Sequence, residues 1–189
     1  MGELLPQAYL LGLVVLLGGA AVVVARQILR VRRDESTLAR LAGGSSGAPP
    51  DAASLYELGS VQLRKRLYGQ ASDNLRKALR LAEAEQAPAE ARALIENALG
   101  FSLAAQNNHA AAIRHYRSAL RARADYPVAL NNLAFALEKQ QKVEEALSTY
   151  QQVLELEPGN RTASKRLRSL ERRGAAAPGE KNSASGKRG

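Results

Sequence analysis

The sequence predicts an all-α chain in which a single transmembrane helix near the N-terminus is followed by three stacked helical hairpins and a C-terminal capping helix. Three observations predict it. Residues 4–25 are 22 positions without a charge, about 33 Å as a helix, which matches a bilayer core. Most of the remaining chain repeats itself at a spacing of 34 residues. Aromatic residues make up only 4% of the chain and Trp is absent, while Ala, Leu, Arg and Gln dominate, a composition that favours helix over strand.

The apolar segment has Glu3 before it and Arg26, Arg30, Arg32 and Arg33 after it. A secretory signal carries its positive charge ahead of the apolar stretch, so the order of charges predicts an anchor. The positive-inside rule then puts the N-terminus across the membrane and the rest on the cytoplasmic or stromal side. Ala8, Gly12 and Gly19 share a helix face that a second membrane helix could approach. Residues 26–42 are expected to continue as a basic helix whose arginines meet anionic head groups. Residues 43–51, which contain Gly43-Gly44-Ser45-Ser46-Gly47-Ala48-Pro49-Pro50, read as a flexible linker.

A shift of 34 residues aligns Leu99 with Leu133, Gly100 with Ala134, Leu103 with Leu137, Ala112 with Ala146, Tyr116 with Tyr150 and Ala119 with Val153. An earlier copy, Leu58, Gly59, Ala71, Leu75 and Ala78, aligns with Leu99, Gly100, Ala112, Tyr116 and Ala119 at a shift of 41. The three units occupy 52–85, 93–126 and 127–159, with residues 86–92 inserted between the first two. Pro88 in that insertion should interrupt or restart a helix. Ser54 with Glu57 reads as a capping box, Pro127 suits a first helical turn, and Pro158-Gly159 ends the third unit. Residues 160–173 make an amphipathic cap, with Ala163, Leu167 and Leu170 on the apolar side.

A leucine followed by a small residue, then an alanine followed four positions later by a large one, resembles the tetratricopeptide-repeat family. The small side chains let paired helices approach, while Leu75, Tyr116 and Tyr150 fill the space beside them. In that family the first helices line a concave groove. The resemblance places Tyr56, Ser60, Asn97, Phe101, Asn131 and Phe135 there, the asparagines to hydrogen-bond a peptide backbone and the phenylalanines to receive its apolar side chains. A carboxylate clamp for chaperone C-termini, found in some members, looks absent, because Tyr56 and Ser60 stand where its lysine and asparagine would be.

The net charge of +9 is unevenly spread: +1 over residues 1–51, +1 over 52–158 and +7 over 159–189. A nearly neutral repeat region argues against a nucleic-acid surface, and residues 174–189 read as a disordered basic tail, open to anionic lipid, acidic protein or simple solvation. The chain has no Cys, and His109 and His115 are its two histidines; six apart, they read as surface residues and not as metal ligands. No phosphate loop, nucleophile elbow or metalloprotease pattern is present, and Glu144, Glu145, Glu155 and Glu157 read as a solvated helix surface. No catalytic residue, cofactor or metal is expected.

The arrangement as a whole, with Asn97-Ala98-Leu99-Gly100-Phe101, Leu130-Asn131-Asn132-Leu133-Ala134 and the closing Ala163-Ser164-Lys165-Arg166-Leu167-Arg168-Ser169-Leu170, resembles the cyanobacterial and plastid photosystem I assembly tetratricopeptide family. The resemblance implies a thylakoid protein without catalytic activity that has photosystem I subunits or assembly factors as partners. A scaffold for another bacterial envelope complex, serving secretion, respiration or cytochrome assembly, is the alternative.

Overall fold

Helix-forming residues broken by a few short turns produce eight helices and no strand among the described residues of the computed structural model, which are 4–42 and 50–175. The predicted linker, apart from its last two residues, and the tail beyond residue 175 lie outside that set. The chain divides into two units, Met1–Pro50 and Asp51–Gly189.

The first unit is one helix, α1 (Leu4–Ala42), of 39 residues. Its Leu10–Leu29 stretch is long and apolar enough to cross a membrane, and large side chains such as Leu11, Val15 and Leu16 are exposed along it. The predicted span and the basic segment after it are therefore one uninterrupted helix, with Arg26 and Arg32 exposed.

The second unit contains α2 (Ala52–Arg64), α3 (Tyr68–Ala84), α4 (Ala89–Ala105), α5 (His109–Ala122), α6 (Pro127–Lys139), α7 (Val143–Leu156) and α8 (Arg161–Ala175). Consecutive helices pair as hairpins, α2 with α3, α4 with α5 and α6 with α7, and α8 packs on α7. Their spacing is set at the signature positions. A Cβ on Gly59 would lie 2.7 Å from Cγ of Leu75, and one on Gly100 would lie 2.7 Å from Cε1 of Tyr116, so only glycine permits these two crossings. The third crossing carries Ala134 opposite Tyr150. Ala71, Ala112 and Ala146 are fully buried, as are Leu75 and Leu99, and one apolar cluster runs from Ala71 to Leu170.

The turns inside the hairpins also recur. Arg66, Asn107 and Gln141 have φ of 60°, 63° and 58°, and the next residue of each returns a hydrogen bond to the last helical turn: Leu67 N to Gln62 O at 2.9 Å, Asn108 N to Leu103 O at 2.9 Å and Lys142 N to Leu137 O at 3.0 Å. These are Schellman closures made without glycine.

The seven residues inserted between the first two repeats do not form a loop of their own. α3 has 17 residues where α5 and α7 have 14, and α4 has 17 where α2 and α6 have 13, which together absorb all seven. Pro88 sits at the N-cap of α4, where its missing N–H costs nothing. One expected start is corrected. The cap of α2 is not a Ser54–Glu57 box but Asp51, whose carboxylate accepts from Ser54 N at 2.8 Å while Ser54 Oγ donates to Asp51 O at 3.0 Å. Ser54 serves as the partner of the cap, a position that the capping-box spacing conceals.

Candidate functional site

The inner wall is identified by which helices approach. Besides the hairpin and sequential contacts, α2 meets α4 and α4 meets α6, while no comparable approach joins α3 with α5 or α5 with α7. The layer whose helices close on one another is the inner one, so α2, α4 and α6 form the inner wall of the stack.

On that wall Tyr56, Ser60, Asn97, Asn131 and Phe135 are half-buried, and Phe101 is 43% exposed. The two asparagines and the two phenylalanines, though 34 residues apart in sequence, occupy unlike surroundings. Asn97 is a bridge: its Nδ2 donates to the Tyr126 hydroxyl at 3.3 Å and its Oδ1 accepts from Asn132 Nδ2 at 3.0 Å. That leaves one N–H and one lone pair of the amide for anything else. Asn131 instead has a buried Oδ1 with no hydrogen-bond partner among the described residues.

Phe101 presents its ring to solvent, whereas Phe135 lies between Lys139 Nζ, 5.3 Å from its centroid, and the Arg166 guanidinium at 5.2 Å. Those cation–π contacts pin it. The difference arises from the next element in the stack: α6 supplies Asn132 beyond Asn97, while α8 supplies Arg166 beyond Phe135.

Tyr126 and Asn132 are not among the residues that the sequence singles out; the doubled Asn131-Asn132 is the signal present for one of them. Burial, and next the nearby Tyr56, hold the Tyr126 hydroxyl above the usual tyrosine range. Leu94 and Val128, 37% and 54% exposed, lie on the same helices and leave apolar surface uncovered beside the asparagines. The six groove candidates include no charged side chain, and the wall between α4 and α6 accordingly suits an uncharged segment better than an acidic one.

Glu138 closes the C-terminal end. Its side chain, 12% exposed, takes Arg166 Nη1 at 3.4 Å and Arg173 Nη1 at 3.8 Å, and the Tyr150 hydroxyl donates to it at 3.5 Å. Burial foremost, and the Glu138 charge after it, push the Tyr150 hydroxyl well up; burial alone does so for Tyr116. The histidines depart from the surface reading. His115 Nδ1 meets Glu96 Oε2 at 2.7 Å across α4 and α5, and His109 has a buried Nδ1 without a partner among the described residues, neither of which six-residue spacing discloses.

Three hairpins with an inner wall of first helices define a tetratricopeptide-repeat module, a fold built to hold protein segments, and tetratricopeptide-repeat sequences match residues 103–170. Among solved structures, the first such domain of Spaghetti (RPAP3) bound to the HSP90 peptide SRMEEVD is 26% identical with a TM-score of 0.61, over 66% of this chain and 94% of that one. The protein ycf37 of Guillardia theta is 32% identical over 90% of this chain and 94% of its own length. The chain therefore belongs to the ycf37 family of tetratricopeptide-repeat proteins. The chloroplast tetratricopeptide protein PYG7 of Arabidopsis thaliana is 31% identical over 88% of this chain, which spans 54% of PYG7.

Proposed function

We propose that the chain is a membrane-anchored scaffold, without catalytic activity of its own, that uses the α4–α6 wall to hold proteins during assembly or stabilisation of photosystem I. The observation that carries the scaffold reading is the wall itself: Leu94, Phe101 and Val128 left exposed on the first helices of a fold whose solved relative holds a peptide. The Phe101 ring supplies apolar area and the remaining N–H and lone pair of the Asn97 amide meet a peptide backbone, the combination that anchors an extended segment. The relation to a chloroplast protein and to ycf37 supports the photosynthetic client, and the apolar α1 followed by Arg26 and Arg32 supports a thylakoid anchor with the repeats on the cytoplasmic or stromal side.

Crosslinking in the native membranes of a phototroph, followed by mass spectrometry, tests the reading. Enrichment of photosystem I subunits or assembly factors is expected; recovery of secretion or respiratory subunits in their place overturns the client. Phe101→Ala should weaken capture about tenfold or more, the effect of removing a large central anchor, while leaving the circular dichroism spectrum unchanged.

A further inference from the structure

The C-terminal excess of positive charge is not chiefly a property of the tail. Of the nine basic residues in 159–189, six lie on α8 and three beyond it. The six divide by face. Arg166 and Arg173 turn to Glu138. Arg161, Lys165, Arg168 and Arg172 follow the spacing i, i+4, i+7, i+11 and so fall within about 60° of one another around the helix, opposite the buried Ala163 and Leu170.

None of these four makes an ion pair among the described residues. Arg168 Nη2 donates to Ser164 Oγ at 2.6 Å and Arg172 Nε to Arg168 O at 3.2 Å, which orders the stripe without neutralising it. Together with the Pro158-Gly159-Asn160 turn, these side chains line a cleft of about 380 Å³. The stripe runs about 17 Å along the helix.

We infer that this face of α8 docks on the anionic head groups of a lipid bilayer, giving the repeat unit a second membrane attachment besides α1. Charge complementarity selects the occupant. A row of four cations with no large apolar side chain on it lacks the buried anchor that a stable protein interface needs, whereas a leaflet of phosphate groups needs only the charges, each basic residue near it contributing about fivefold. Elsewhere on the unit the charges nearly cancel in sum, residues 52–158 carrying a net +1. The inference rests on the proposed α1 anchor, which holds head groups at high local concentration around the unit.

The test uses the full chain in nanodiscs of phosphatidylcholine with or without phosphatidylglycerol. Because the chain has no cysteine, Thr162→Cys beside the stripe takes a single fluorescent donor, and the discs carry a head-group acceptor. Energy transfer should rise in anionic discs. It should fall to the neutral-disc level in strong salt, where the screening length shrinks to about 3 Å, and in R161Q/K165Q/R168Q/R172Q, whose docking equilibrium should be at least a hundredfold weaker. K77Q/R114Q, which removes two exposed charges elsewhere, should dock as the parent does.

Equal transfer in neutral and anionic discs, or normal docking by the four-glutamine variant, overturns the inference. Uptake of a poly-glutamate peptide on the stripe while anionic discs give no added transfer replaces the lipid with an acidic protein. Retention in discs at high salt reports α1 separately: a chain that is washed out refutes the anchor, and one that is retained without transfer refutes only the docking.

Discussion

The two ends of the repeat stack are built on different rules. In the α2–α3 and α4–α5 crossings a glycine meets a large side chain, with 2.7 Å between the missing Cβ position and the opposing carbon. In the α6–α7 crossing the corresponding residue is Ala134, and the end is held in addition by Glu138, which gathers Arg166, Arg173 and Tyr150. One end is specified by shape and tolerates no added volume. The other has room for a methyl group and depends on a half-hidden carboxylate. A stack that must end somewhere needs this second solution, because its last hairpin has no further repeat to cover it.

The largest expected effect breaks the shape-specified end. Gly100→Val drives two methyl groups into the Tyr116 ring and should destabilise the unit by about 3 kcal/mol, the upper range for overpacked cores, read from urea unfolding followed by circular dichroism. The mirror change, Ala134→Gly, removes a methyl group that the crossing accommodates and should cost only about 1 kcal/mol, the helix penalty of glycine. If both cost the same, glycine does not set the first crossings.

Glu138→Ala is the corresponding break at the other end. It strands the buried Tyr150 hydroxyl and removes the ion partner of two solvent-exposed guanidinium groups, and should cost about 2 kcal/mol, with the loss shrinking in high salt, whereas salt should leave the cost of Gly100→Val unchanged. Alkali addresses both ends together. Burial raises the Tyr116 and Tyr150 hydroxyls, so the unfolded chain ionises first; stability is intact below about pH 10 and falls as pH rises through the folded values. Replacing Tyr116 with Phe should remove its share of that alkaline loss.

The smallest effect has the opposite sign. Gln141 holds φ at 58°, a conformation costing a side-chain-bearing residue roughly 1–2 kcal/mol, against a glycine entropy cost of roughly 0.5–1 kcal/mol. Gln141→Gly should therefore stabilise by about 0.5 kcal/mol, seen as a small rise in Tm.

What sequence made legible was whatever a period encodes. The spacing of Gly59, Gly100 and Ala134 located the crossings, Pro127 and Pro158 marked helix limits, and Ala163, Leu167 and Leu170 marked the inner face of the cap. The pairings across that period were not legible. Asn97 and Asn131 sit at equivalent positions, yet one bridges Tyr126 and Asn132 and the other has a buried oxygen without a partner among the described residues, because the helix stacked beyond each is different. Phe135 is pinned by Arg166 from the cap, 31 residues along the chain, a contact no local pattern announces. Likewise the seven inserted residues showed as a break in register, and only the backbone reveals that they lengthen α3 and α4.

The most direct test of the scaffold reading places a photo-crosslinking amino acid at Val128 on the inner wall and, in a second variant, at Ser148 on the outer helix α7, in the native membrane of a phototroph. Adducts with photosystem I subunits or assembly factors are expected from Val128 and none of these from Ser148. Equal adducts from both positions, or none with photosystem I components from Val128, would contradict it.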